Sequence, residues 1–278
     1  MIQTKWVYKR KRNKEGNIER HRARLVAKGF TQVFGEDFFD TYAPVARLTT
    51  LRIVYALTVM LDLSIAGMDV DAAFLNADLH ENLYIKAPVG TKSLPKGYVY
   101  KLLKALYGLK QAPKEWNVRL NDFLVNTCCF TRLNTEHCLY ISNNDNGYII
   151  VAIYVDDLIV AYSNTTLLKS FKDNLTREYK IRDLGTLDRA LNMEITRTND
   201  GGLFLSQRLY TEDLLKRFGA LSTDGKPLVN KADTPMDHRI KFSKEGATRS
   251  RYKSDSKIQG ESGNKCEDSD PIPADFNY

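Results

Sequence analysis

Two sets of carboxylates stand at the ends of apolar, strand-like runs. Asp69 closes the run 63–70, with Val70 and Asp71 following, and Asp156 and Asp157 sit between YIIVAIYV and LIVAY. A carboxylate beside buried apolar strand is costly unless it is paired or ligates a cation. Carboxylate oxygens are hard donors that suit Mg²⁺, which keeps waters and takes up substrate phosphates. Two ions roughly 3.5–4 Å apart stabilise both the attacking and the leaving oxygen of a phosphoryl transfer. Taken singly the signals are weak. An Asp-x-Asp such as 69–71 is a common surface pair, and Asp favours turns. The apolar runs on both sides of Asp156 and Asp157 strengthen the reading, because solvent turns rarely lie between two fully apolar strands.

The elements that must position these acids can be read along the chain. Residues 4–12 and 18–27 are strand-like with a turn signal at 13–17, which makes a hairpin with Trp6, Val7, Leu25 and Val26 as apolar anchors. Residues 49–61 follow a Thr N-cap with Leu51, Val54, Leu57 and Leu61 at helical spacing. Residues 63–70 form a buried strand, and AAFLNADL has short helical character. Residues 112–126 form the clearest helix, with Pro113 in its first turn and Trp116, Leu120, Phe123 and Leu124 on one face. Residues 147–162 make a hairpin with Asp156 and Asp157 at or near its turn. A helix capped within 163–166 follows, carrying Leu168, Phe171, Leu175 and Tyr179. Then come a strand at 190–197, a turn, the strand LFLSQ and a helix at 210–218 that stops at Gly219. From residue 65 the order is βαββαβ, an α+β pattern of ferredoxin-like type. Its first strand and central hairpin can lie side by side, so Asp69 and Asp156 can converge. Residues 238–278 are rich in Ser, Lys, Asp, Glu and Gly and are expected to be largely disordered.

Charge is concentrated at the front. The 278 residues hold 41 Lys and Arg against 34 Asp and Glu, a net +7. Residues 1–30 hold ten of those cations and two acids, and the remaining chain is nearly balanced. This excludes a uniformly cationic coat and points to one localised polyanion site. Edge protection by lysine is the plainer explanation, but ten cations exceed what it needs. No run approaches a membrane span, and Met1–Trp6 has no signal-peptide core. The four cysteines form no regular framework, which suggests a reducing compartment. Cys128, Cys129, His137 and Cys138 cluster without the paired spacing of a zinc site. His21, His80, His137 and His238 show no paired acid, and no nucleophilic Ser or Cys signature is present.

The motifs KWVYKRK, RHRARLVAKGFTQ, TYAPVARLTTLR, MDVDAAFLNADL, LYIKAPVG, LYGLKQAPKEW, YVDDLIVA, DLG, LSQRLY and TPM occur in this order over roughly residues 3–236. In this set the chain resembles the reverse transcriptase domain of copia-type long-terminal-repeat retrotransposons. The resemblance implies a polymerase right hand. Residues 1–62 would be fingers, and 63–197 palm with an interleaved fingers segment near 80–115. Residues 198–237 would be the palm end and start of the thumb, before a tail leading to a connection and RNase H region. It implies Asp69, Asp156 and Asp157 as catalytic residues and as ligands, with the Val70 carbonyl, of two Mg²⁺ ions, Mn²⁺ being the alternative. Arg24 and Arg22, Arg24 favoured, would grip the triphosphate. Phe74 would exclude a 2′-hydroxyl, core packing being compatible with that role, and Lys110 and Gln111 would lie in the nucleotide pocket. Lys5, Lys9, Arg10, Lys11, Arg12 and Lys28 would bind nucleic acid, with Trp6, Tyr8 and Phe30 near enough to stack on bases.

The partners so implied are an RNA or DNA template with its primer and deoxynucleotide triphosphates, with no membrane. The implied setting is intracellular, a cytoplasmic particle or the nucleus of a retroelement, and not secretion. The chain departs from the family where Asn192 replaces a glycine in ALNMEI, and it starts abruptly at the fingers hairpin. A polyprotein fragment or decayed insertion is expected. The competing readings are a catalytically inactive remnant that only binds nucleic acid and, more weakly, a different two-metal phosphotransferase.

Overall fold

The computed structural model describes residues 1–12, 17–91, 94–222 and 224–228. The expected hairpin turn at 13–16, His238, Cys266 and the tail at 238–278 lie outside the described residues, as does the side chain of Arg12.

The chain opens with an antiparallel hairpin, β1 (Thr4–Arg12) and β2 (Ile18–Ala27), followed by helix α1 (Leu48–Met60) and strand β3 (Ser64–Val70). Two short strands, β4 (Tyr84–Ile85) and β5 (Tyr100–Lys101), pair with each other. Helix α2 (Ala112–Asp122) runs into a π-helical turn at Phe123–Thr127. Then come β6 (Thr131–Arg132), β7 (Leu139–Asn144), β8 (Gly147–Tyr154), β9 (Asp157–Tyr162) and helix α3 (Thr165–Glu178). Strands β10 (Ile181–Thr186), β11 (Arg189–Ala190), β12 (Met193–Arg197) and β13 (Leu203–Ser206) precede helix α4 (Arg208–Arg217).

Six strands form the main sheet in the order β10-β3-β9-β8-β7-β6, every neighbour antiparallel. Strand alternation divides its side chains between two cores. Ala66, Met68, Val151, Ile153, Leu158 and Val160 pack with Trp116, Leu120 and Leu124 of the α2 segment and Phe171 and Leu175 of α3. Ile65, Ile150, Ala152, Ile159 and Ala161 pack on the other face with Leu51, Val54 and Tyr55 of α1 and with Leu187, Met193 and Ile195. The central strands are covered on both faces, which is why they read as continuous apolar runs. Asn164 caps α3, its side-chain oxygen accepting from Leu167 N–H at 3.0 Å.

Several expectations are corrected. Arg47 stands at the α1 cap, without a side-chain hydrogen bond, and Thr49 and Thr50 are already helical. β3 pairs with β9 of the central hairpin as expected, but its other neighbour, the last strand of the run, is β10 and not 190–197; residues 189–197 form a separate three-stranded sheet with β13. In β10 only Ile181 is half-buried, so this edge strand has no alternation to betray it. Trp6 and Val7 are exposed, and the hairpin is anchored by buried Ala27. Among the described residues, no helix is long and apolar enough to cross a membrane.

Candidate active site

Asp69 lies near the end of β3, and its register neighbours are Asp157 on β9 and Arg182 on β10. Directly opposed residues share a sheet face, so these three form a row across three strands. Asp156 and Val155 are the two residues joining β8 to β9. Val155 has φ 59°, a left-handed conformation that strains a β-branched residue by roughly 1–3 kcal/mol. Two hydrogen bonds hold the turn: Trp116 Nε1 donates to the Val155 carbonyl at 2.7 Å, and Val70 N–H donates to the Asp156 carbonyl at 2.9 Å. The β8–β9 tip is thus tied to α2 on one side and to β3 on the other.

Burial, and then the neighbouring Asp69, push the Asp156 carboxyl above the ordinary range, against a downward pull from Arg24 and Arg22. Burial pushes Asp157 up to about 6, reinforced by Asp156 and Asp69. A cavity of about 220 Å³ opens over the acids. Lys11, Arg22, Arg24 and Arg182 share its wall with Asp69, Val70, Asp71, Asp156 and Asp157. The hairpin register explains the cations. Lys9 pairs with Arg22 and Lys11 with Arg20, and Lys5, Val7 and Arg24 lie on that same face. Trp6, Tyr8, Arg10 and His21 lie on the other.

Other expected site residues divide by location. Phe74 sits half-buried on a 3₁₀ turn, its ring 4.8 Å from that of Tyr107. The Arg24 guanidinium lies 5.2 Å over the same Tyr107 ring; Arg24 lines the cavity over the acids, and Phe74 and Tyr107 do not. Lys110 Nζ lies 4.6 Å from the Phe38 ring centre and outside the cavity wall. Gln111 is fully buried and does not line the cavity. Its amide accepts from Gln32 Nε2 at 2.9 Å and donates to the Asp37 carbonyl at 2.8 Å. Lys5, Lys9 and Arg10 are exposed, and Lys28 donates to the Gln3 side chain. Gly108, at φ 89°, allows the loop before α2 to meet the end of β2: a Cβ there would sit 2.2 Å from the Ala27 carbonyl oxygen. Tyr107 O accepts from Ala27 N–H at 2.7 Å at this crossing.

Three site residues escaped sequence reasoning: Trp116, read only as core, Tyr107 and Arg182. His80, read as unpaired, lies 3.6 Å from the buried Glu115 carboxylate. Burial pushes the Cys128 thiol up to about 11 and that of Cys138 up to about 12, as expected of packed cysteines.

Among the described residues, no three His, Cys, Asp or Glu side chains come together as one metal cluster. Mg²⁺ asks for less, since one or two carboxylates plus waters and substrate phosphates complete its shell. Hard oxygens whose charge is raised in energy by burial and mutual repulsion fit that demand. Nearby cations able to bring phosphate complete the fit.

A family model described as reverse transcriptase (RNA-dependent DNA polymerase) matches residues 1–232. The chain is 35% identical over 246 residues to the retrovirus-related Pol polyprotein from transposon TNT 1-94 of Nicotiana tabacum, covering 87% of this chain and 18% of that protein. It is 36% identical over 245 residues to the retrovirus-related Pol polyprotein from transposon RE1 of Arabidopsis thaliana, covering 87% of this chain and 16% of that one. A third such polyprotein, from transposon RE2 of the same plant, is 37% identical over 238 residues, covering 85% of this chain and 16% of its own length. The chain spans less than a fifth of these relatives. With the match running from the basic hairpin past the acidic turn to residue 232, the chain belongs to the reverse transcriptase family.

Proposed function

We propose that this chain is a template-directed DNA polymerase module that adds deoxynucleotides to a primer 3′-hydroxyl. One observation carries the reading: Lys11, Arg22 and Arg24 meet Asp69, Asp156 and Asp157 on a single cavity. We read β3, α2, the β8–β9 hairpin, α3 and β10, with the short pair β4–β5 and strands β6 and β7 interleaved, as a palm of βαββαβ type within residues 63–197. Hairpin β1–β2 and α1, within residues 1–62, serve as fingers, with a second fingers segment near 80–115. Residues 198–237 lead toward a thumb.

In this reading the primer 3′-oxygen attacks the α-phosphorus. A new P–O bond forms as the α–β bond breaks and pyrophosphate leaves. Mg²⁺, held by Asp69, Asp156, Asp157 and the Val70 carbonyl, would supply the charge neutralisation that dominates such transfers. Arg24 and Arg22 hold the triphosphate. Arg24 is the stronger candidate, because its guanidinium lies over the Tyr107 ring while it lines the cavity. Phe74, backed by Tyr107, presents a ring against the sugar and disfavours an extra 2′-oxygen. Gln111 acts from behind, holding the Lys110 backbone through Gln32, whose side-chain oxygen accepts from Lys110 N–H at 2.8 Å. Lys5, Lys9, Arg10 and Lys28 are assigned to the nucleic-acid path. The substrates are an RNA or DNA template with primer and deoxynucleotide triphosphates, inside a cell that hosts a retroelement.

The test is primer extension by the full chain on an RNA template with Mg²⁺, beside Asp156→Asn. Extension by the wild type alone supports the reading, and equal extension by both overturns the role of Asp156. Salt-sensitive binding with no extension by the wild type would support a binding-only remnant instead.

A further inference from the structure

Arg182 reaches the acidic row from the exposed edge strand β10. Its Nη2 lies 3.2 Å from Asp69 Oδ2 and 3.4 Å from Asp71 Oδ1. Lys180 Nζ lies 3.5 Å from the other oxygen of Asp71, and Asp71 N–H donates to the Lys180 carbonyl at 2.8 Å. The pairing is lopsided: Asp71 has two cationic partners and a backbone tie, while Asp69 has Arg182 alone among the described residues. Asp156 and Asp157 carry no ion pair among the described residues. The Arg182 side chain is 45% exposed and that of Asp69 only 22%, so the guanidinium has room to move and the carboxylate has little. A guanidinium brings a positive charge and a planar fork of donors. What it can do is place charge, and it places that charge on an oxygen a divalent cation would need.

We propose that Arg182 is a latch on the metal site. It neutralises and orients Asp69 in the metal-free protein, then surrenders it to an entering divalent cation while Asp71 retains the guanidinium as a pivot. The proposal rests on the reading of Asp69 as a metal ligand. Arg182 is thus a positioning residue acting through Asp69, and Asp71 positions Arg182. The latch holds the acidic row together between turnovers, and it sets a threshold that an ion must overcome to enter.

Mn²⁺ titrations of the full chain, followed by the electron paramagnetic resonance of the free ion, test the latch without reference to activity. Arg182→Gln should bind Mn²⁺ roughly three- to fivefold tighter, the scale of a part-exposed ion pair. Asp71→Asn leaves Arg182 wholly to Asp69, so it should weaken binding by a similar factor. The same change in the Arg182→Gln background should do much less, because there is no guanidinium left to redirect. Arg22→Gln also removes a cation from the cavity but touches neither carboxylate, and it should tighten binding less than Arg182→Gln. The latch is overturned if Arg182→Gln binds no tighter than the wild type, if Asp71→Asn acts equally in both backgrounds, or if Arg22→Gln matches Arg182→Gln. If Asp156→Asn binds Mn²⁺ as well as the wild type, the metal reading fails and the latch falls with it. If Asp156→Asn weakens binding while Arg182→Gln leaves it unchanged, the latch alone fails.

Discussion

Hairpins β1–β2 and β8–β9 are both antiparallel ribbons that present charge to one cavity, and they are held in opposite ways. β8–β9 has β3 on one side and β7 on the other, with apolar side chains packed on both faces. Its carboxylates are pulled out of water, and their raised proton affinity records the cost. Among the described residues β1–β2 has no third strand, and most of its residues are exposed. It is joined to the body at its base, through Ala27 N–H to Tyr107 O and Ile2 N–H to Tyr84 O. Its cations stay hydrated and cost little. Removing charge from the acidic hairpin should therefore trade function for stability. Removing it from the basic hairpin should reduce function and leave stability alone.

The largest effect should come from Asp156→Asn. Nucleotide incorporation should fall by at least ~10²–10³-fold, the scale of removing one preorganised charge from an active site. Its metal-free melting temperature should not fall. A mutant that incorporates normally, or that melts well below the wild type, would break the contrast from the acidic side. Arg24→Gln is the counterpart. Steady-state kinetics should show kcat/KM for deoxynucleotide falling by about 10–100-fold, as for loss of a charged hydrogen bond. Its unfolding free energy should stay within about 0.5 kcal/mol of wild type, as for a surface change. Substantial destabilisation would show that the hairpin's cations support the fold.

Trp116→Phe probes the tie between the acidic hairpin and the body. The ring keeps its packing against Tyr179, with centroids now 5.4 Å apart, but the Val155 carbonyl loses its donor. The site is only half-buried, so the lost hydrogen bond costs roughly 1 kcal/mol, to be read as a lower denaturant midpoint at unchanged slope. Extension should drop with it, because a strained turn loses its support. Nucleic-acid affinity, assigned in the proposed function to the other hairpin, should hold.

The acidic hairpin was legible because two uninterrupted apolar runs around a pair of carboxylates have few other uses. The helices α2 and α3 were legible from apolar spacing and from first-turn or capping residues. What stayed hidden depends on register or on distant partners. The cations of β2 alternate visibly, while those of β1 run consecutively from Lys9 to Arg12, and which of them meet on one face follows from cross-strand register, with a shift at Lys11 and Arg12. Gln111 has the chemistry of a substrate contact, and only the fold shows its amide bonded to Gln32, 79 residues away. β10 is an exposed edge strand whose one half-buried side chain leaves no period to detect, so Arg182 beside Asp69 was invisible.

The smallest effect tests the stability half of the contrast. Asp157 has its proton affinity raised to about 6 in the folded protein, chiefly by burial and then by Asp156 and Asp69. In the unfolded chain it titrates near ~3.9. The folded state therefore holds the proton more tightly, and stability falls as pH rises from about 4 to about 6. Below that window both states are protonated and no cost exists; above it the whole cost is present. Two units would correspond to about 3 kcal/mol, but solvent reaches this carboxyl, so about 1 kcal/mol is expected. Asp157→Asn should remove that cost. In a chelator, its melting temperature should exceed the wild type's at pH 7 and coincide with it near pH 4. Saturating Mn²⁺ should favour the wild type, because the ion offsets the repulsion that the substitution relieves. A gain that persists at pH 4 would mean that asparagine simply packs better, and the charge at the tip of β8–β9 would then carry no stability cost of its own.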